Sequence, residues 1–189
     1  MTESPNPGRR GPDVTCVELV GGVEKRDLVI EEYDPSWTSA FTEHEHRIRA
    51  ALGETAKQVE HIGSTSVPGL AAKPIIDILV VVDDVTAEED YLPQLLDTGY
   101  MLRVREPGHR LVRTPELDVH VHILETGDVA ADDYLLLRDR LRTDQGDREL
   151  YERTKRDLVA QDWPDMNAYS DAKGQVIAEI KQRARDNRG

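Results

Sequence analysis

Cysteine is all but missing from this chain. Cys16 is the only one in 189 residues, so no internal disulfide can form, and it reads as an incidental thiol. Long apolar runs are missing too: none approaches the ~20 residues that a membrane helix needs. No apolar segment follows Arg9-Arg10 as it would in a signal peptide, so a soluble, cytoplasmic protein is expected. Basic residues are in short supply, 24 Lys and Arg against 37 Asp and Glu. The resulting net charge of −13 argues against nucleic acid as a partner, because a basic footprint usually carries that affinity. A small nucleotide in a local basic pocket remains compatible with an acidic surface. Hydrophobic residues make up only 38%, partly because residues 1–26 are polar, rich in Pro and Gly, and without periodicity. That stretch is expected to be a flexible arm. Neither a repeat nor a linker divides the remainder, so residues 27–189 are expected to form one domain.

The richest stretch runs from Val59 to Val82. It holds a Gly63-Ser64 turn, a second turn at Pro68-Gly69, Lys73, and then the β-branched run Ile75 to Val82. The run reads as a buried strand with Asp77 inside it, and a buried carboxylate needs a partner or a job. Around it the pattern predicts an edge strand at 27–33 and a helix starting at Asp34-Pro35 and ending at Gly53. Further strands are expected at 57–62, 100–105, 110–113 and 117–124, with a helix capped by Thr86 running to Asp97. Three helices close the chain, at about 132–143, 147–161 and 170–185. The fold class is therefore α+β, a mixed sheet flanked by helices with a C-terminal helical segment.

Several residues could carry chemistry. Gly63 lets the backbone approach a ligand, Ser64 adds a hydroxyl, and with Thr65 the turn could cradle phosphate. In nucleotidyltransferase folds such a turn holds the nucleotide while strand carboxylates, usually in an Asp-x-Asp pair, hold metal. Here Leu79 occupies the second position. On the strand where a third acid is expected, His120 and His122 share a face with Asp118. Asp77, His120 and His122 together suit a transition metal such as Mn or Zn better than an all-oxygen Mg site. His61 precedes the turn. Lys73 stands before Pro74 and so in extended backbone. Arg138 and Arg142 are four apart on one helix face, as are Tyr151 and Lys155 on the next. Ser170 is placed to cap the last helix, which would put Lys173 in its first turn, an end suited to an anion.

His61-Ile62-Gly63-Ser64-Thr65-Ser66-Val67-Pro68-Gly69-Leu70, followed by Lys73-Pro74-Ile75-Ile76-Asp77, resembles the signature of the GrpB family. Tyr33-Asp34-Pro35-Ser36-Trp37 is similar to its opening motif and His120-Val121-His122 to its His-x-His strand. Leu137-Arg138-Asp139-Arg140-Leu141-Arg142 resembles its Phe-Arg-Asp-Tyr-Leu-Arg helix, departing at Leu137 and Arg140; Tyr151, Lys155, Tyr169 and Lys173 match later markers. The resemblance implies a nucleotidyltransferase-like fold related to that of DNA polymerase beta, and fold alone does not set the reaction. The reading that follows is an enzyme binding ATP or another NTP with a divalent metal (Mg, Mn or Zn) and passing a nucleotidyl group to a small molecule. Gly63, Ser64, Thr65, Lys73, Arg138, Lys155 and Lys173 would hold phosphate, and Asp77, His120 and His122 the metal. His61, Arg142, Tyr151 and Tyr169 would complete the pocket. In one variant the adenylylated group is a carboxylate that an amine then captures as an amide. The alternatives are a non-catalytic ligand-binding module on a degenerate scaffold, which Leu79 favours, and metal-dependent hydrolysis of a phosphate ester.

Overall fold

In the computed structural model, which describes residues 9–24 and 29–187, the Ile76–Val82 run is a strand (β3) near one edge of a six-stranded sheet. The other strands are Glu18–Leu19 (β1), Gln58–Ile62 (β2), Met101–Glu106 (β4), His109–Arg113 (β5) and Val119–Glu125 (β6). Their order is β1-β4-β5-β6-β3-β2. Only β3 and β6 run parallel; every other pair is antiparallel. The parallel register sets Asp77 beside His120 and Leu79 beside His122. Parallel neighbours need a crossover, and it is supplied by helix α2 (Leu92–Asp97) and the β4–β5 hairpin.

Alternation along the strands divides the residues between two faces. One face carries Ile76, Ile78, Val80, Val59, Val121 and Ile123, packed with Trp37, Ile48 and Leu52 of α1 (Ser36–Leu52) and with Leu92 and Leu95 of α2. The opposite face has a smaller apolar cluster, Ile62, Leu79, Val81 and Leu124, with Ala131 of α3 (Val129–Thr143). A third cluster joins Val67 and Leu70 of the Pro-Gly turn to Leu141, Tyr151, Val176 and Ile180. It ties α3 to α4 (Gln145–Val159) and α6 (Gly174–Asp186), with α5 (Met166–Ala172) between them. Among the described residues no helix is long and apolar enough to cross a membrane.

Several local expectations change. Instead of staying loose, residues 9–24 are pinned: Arg9 pairs with Glu125 at 2.9 Å, Asp13 with the buried Arg110 at 2.7 Å, and β1 pairs with β4. The edge strand expected at 27–33 is, over its described part, a single bridge between Glu31 and Ala72; Asp27 and Leu28 lie outside the described residues. The helix expected from Thr86 breaks in two. Asp84 caps the backbone N–H of Thr86, a short turn spans Glu88–Asp90, and Pro93 sits in the first turn of a new helix because it lacks the N–H to continue the old one. The last helix also divides. Asp165 rather than Ser170 caps α5, and Lys173 falls at the α5–α6 junction.

Candidate functional site

Gly63 ends β2 with a φ of +70°, a left-handed conformation that side chains resist. A Cβ placed there would meet Asp77 Oδ2 at 2.5 Å, so glycine is what allows the turn to close over the carboxylate. The turn then faces two ways. Inward, Thr65 donates to Ile75 O at 2.9 Å and sits 3.1 Å from His61 Nε2, while the Arg142 guanidinium grips Ser66 O at 3.0 and 2.8 Å. Outward, Gly63 and Ser64 line a cavity of about 440 Å³, with the Ser64 side chain hydrogen-bonded to the Tyr151 phenol. That volume falls within the range of small-molecule sites.

Asp77 lies on the cavity floor with 29% of its side chain open. Its Oδ1 is 3.6 Å from His120 Nδ1 and 3.6 Å from His122 Nε2. Burial works against the carboxylate, but the two imidazoles outweigh it and hold its pKa below the usual range, so Asp77 is anionic. The line of polar groups continues outward. His122 Nδ1 meets His109 Nε2 at 3.1 Å, and His109 Nδ1 meets Glu106 Oε1 at 2.6 Å. The Nε2 of His122 faces Asp77 at the inner end of this line.

Cations cover the opposite wall. The ammonium groups of Lys73 and Lys173 each lie 4.7 Å from the centre of the Tyr169 ring, and Lys155 lies 4.9 Å from that of Tyr151. Lys155 donates to Ala71 O at 2.5 Å. Burial, followed by the nearby charge of Lys173, pushes its pKa down to about 7. Burial lowers Lys173 too, against the pull of Asp77. The Tyr169 hydroxyl is buried in this wall without a hydrogen-bond partner among the described residues. An unmet polar group of that kind costs on the order of 1–3 kcal/mol.

The remaining wall comes from the outer strands: Leu19, Val104 and Leu111, together with Arg103, Arg113 and Glu24. Arg113 grips Glu24 with two parallel hydrogen bonds of 2.9 and 2.6 Å.

Known proteins can now be compared. The family model described as GrpB protein matches residues 27–183. The chain belongs to the GrpB family. Among its relatives is the UPF0157 protein SCO7215 of Streptomyces coelicolor, 60% identical over 94% of this chain and 95% of that one. Among solved structures, GrpB from Enterococcus faecalis covers 82% of this chain and 96% of its own, at 30% identity and a TM-score of 0.73. A slighter likeness, TM-score 0.46 at 15% identity over 65% of this chain and 42% of that one, is to the Cid1 poly(U) polymerase bound to MgGTP. It is too slight to bring a reaction with it.

Within this GrpB-family chain, Gly63, Ser64, Lys73, Asp77, His120, His122, Arg138, Tyr151, Lys155, Tyr169 and Lys173 share the one cavity. Arg138 reaches it already paired with Glu60 at 2.7 Å and Asp139 at 2.8 Å. Thr65 and Arg142 brace the turn from behind. His61 is on the far face of the sheet, stacked on Phe41 of α1 with ring centres 4.7 Å apart, because its strand position pairs with Ile78 rather than Asp77. Burial lowers its pKa to about 4. Asp118 turns away to accept from Thr114 at 2.6 Å. Sequence reasoning missed Glu106, His109, Arg103, Arg113 and Glu24. The alternation His109, Leu111, Arg113 is visible in the chain, but its meaning depends on the β5–β6 register that sets Leu111 beside His122 and Arg113 beside His120.

The metal expected at Asp77, His120 and His122 does not fit what is observed. Among the described residues no group of three or more His, Cys, Asp and Glu side chains could hold a metal ion. Both imidazoles stand 3.6 Å from the same oxygen of Asp77, and the other nitrogen of His122 meets His109. Leu79, at the place of a second carboxylate, is fully buried in the cluster under α3.

Proposed function

We propose that this chain binds a nucleoside triphosphate in the cavity, its phosphates against Lys73, Lys155 and Lys173, and transfers the nucleotidyl group to a small-molecule acceptor. One observation carries the reading: Lys73 and Lys173 flank the ring of Tyr169, whose buried hydroxyl has no hydrogen-bond partner among the described residues, and Lys155 on Tyr151 lines the same cavity as an ionised Asp77. A phosphate would complete Tyr169's hydrogen bonding and relieve the repulsion among the lysines. In the transfer, an acceptor oxygen forms a bond to the α-phosphorus and the bond to the β-phosphate oxygen breaks. Pyrophosphate leaves with that electron pair, and the acceptor's proton passes to Asp77. The lysines neutralise the charge developing on the phosphates.

Thermal melts with millimolar ATP, GTP, CTP and UTP, each with and without Mg, Mn or Zn, test this directly. The melting temperature should climb with the logarithm of nucleotide concentration, and pyrophosphate should appear once an acceptor is present. A flat response to every nucleotide would remove the reading. A second reading, a ligand-binding module without turnover, is favoured by the burial of Leu79 where a second acid would stand. Nucleotide binding that survives Asp77→Asn, with no pyrophosphate released from either form, would select it.

A further inference from the structure

We propose that Arg113 and Arg103 form a carboxylate subsite for the second ligand of the cavity, and that Glu24 of the N-terminal segment occupies it when that ligand is absent. This rests on the cavity being a two-ligand site, as in the function proposed above, and it names the chemistry of the second ligand.

Arg103 and Arg113 stand on β4 and β5. Both are buried, at 8% exposure each, yet both line the cavity. A buried arginine must be matched to an anion or left at high cost. Arg113 is matched fork to fork with Glu24, at 2.9 and 2.6 Å, the two-point geometry by which a guanidinium recognises a free carboxylate. Arg103 Nη1 lies 3.7 Å from the same carboxylate, and its two amino groups donate to the carbonyls of Val20 and Gly22.

Glu24 belongs to the N-terminal segment. It arrives on a segment joined to the sheet by the two-residue strand β1 and a 2.9 Å bond from Val20 N to Arg103 O. Gly21 and Gly22 follow, both at positive φ, and Val20 and Val23 are exposed at 39% and 68%. Among the described residues, Leu19 is the partly buried side chain of this strap that reaches the cavity beside Glu24. Releasing Glu24 therefore uncovers little apolar surface.

Arg113 pairs in register with His120, so a carboxylate held there stands beside the Asp77 centre, in the cavity that the lysines also line. Leu19, Ile30, Val104 and Leu111 line the same cavity. The ligand class is a carboxylate on a short apolar body.

The test uses the full chain with propionate and glutarate as probes, and propionamide and sulfate as controls, followed by calorimetry and thermal melts. Glu24→Gln removes the internal competitor and should tighten binding of both carboxylates at least tenfold over wild type, leaving propionamide without effect. Arg113→Lys keeps the charge but loses the fork and should weaken binding at least tenfold in either background. In wild type, saturating glutarate should speed amide hydrogen exchange over residues 17–24. Lys173→Met should leave carboxylate binding unchanged while weakening that of nucleotide, so failure of the subsite and failure of the nucleotide reading are told apart. Glu24→Gln binding no more tightly than wild type, Arg113→Lys binding equally well, sulfate matching the carboxylates, or exchange over 17–24 unaffected by glutarate would each overturn the proposal. If Glu24→Gln does not fold, the exchange measurement on wild type decides alone.

Discussion

The two faces of the sheet treat buried ionisable groups in opposite ways. On the α1 face, His61 is enclosed by Phe41 and Thr65, and burial drives its pKa to about 4, so at neutral pH it is an uncharged part of the core. On the other face, Asp77 is set into the next strand inward, yet it stays charged because His120 and His122 stand beside it. His61 and Ile62 are consecutive residues, and Ile62 is the one that pairs with Asp77. One step along a strand separates a packing histidine from the floor of a cavity. Burial alone neutralises a group; burial beside two imidazoles and an open cavity keeps it charged and reachable.

Ordered by size, the following changes would sharpen or break that contrast. Asp77→Asn should reduce pyrophosphate release at least 100-fold while the thermal melt shows a folded protein; if the protein unfolds instead, Asp77 is structural, as His61 is on the other face. Gly63→Ala should cost about 2–4 kcal/mol, since the new Cβ meets Asp77 Oδ2 at 2.5 Å on a left-handed backbone. Gly69→Ala, equally left-handed at φ +78° but in open space, should cost only about 1 kcal/mol in the same urea titration.

His61 gives the next effect. Its folded pKa of about 4 lies below the unfolded value near 6.5, so the unfolded chain binds the extra proton between them. Its contribution is present above pH 6.5 and is lost as pH falls towards 4, roughly 2–3 kcal/mol in all. Urea titrations at pH 7 and 4.5 should show the wild type losing its advantage over His61→Gln across that interval, with nucleotide binding unchanged.

Lys155 acts with the same sign in a higher window. Folded, it loses its proton near pH 7, while the unfolded chain keeps it to about 10.5. Stability should therefore rise with pH between 7 and 10.5, by at most about 1 kcal/mol per unit, and Lys155→Met should flatten that rise. Phosphate bound beside Lys155 restores the proton. Nucleotide affinity should thus fall as pH rises from 7 to 9, with proton uptake measured by calorimetry in buffers of different ionisation enthalpy.

Much of this was legible in the chain. The β-branched run at Ile76–Val82 and the alternation of His120 and His122 with Val119, Val121 and Ile123 named the two strands at the centre and the side chains that would share a face. Gly63 and Lys73 stood out beside them. Element boundaries suffered where one side chain settled a local competition, as Asp84, Pro93 and Asp165 did. The strand in the presumed arm was invisible because Glu18 and Leu19 have no alternating pattern; they become a strand by pairing with Arg105 and Val104.

By itself, then, the sequence determined the α+β class, the Gly63 turn with Asp77 behind it, and the family, because backbone propensity, strand alternation and an ungapped motif are local properties of the chain. Tertiary structure alone decided which ionisable groups meet. It set His61 apart from the cavity, drew His109 and Glu106 into the line behind His122, gathered the lysines on Tyr151 and Tyr169, and brought Glu24 to Arg113. The reason is physical: charge and burial act through space over a few ångströms, and strand register, not distance along the chain, sets which residues lie within that reach.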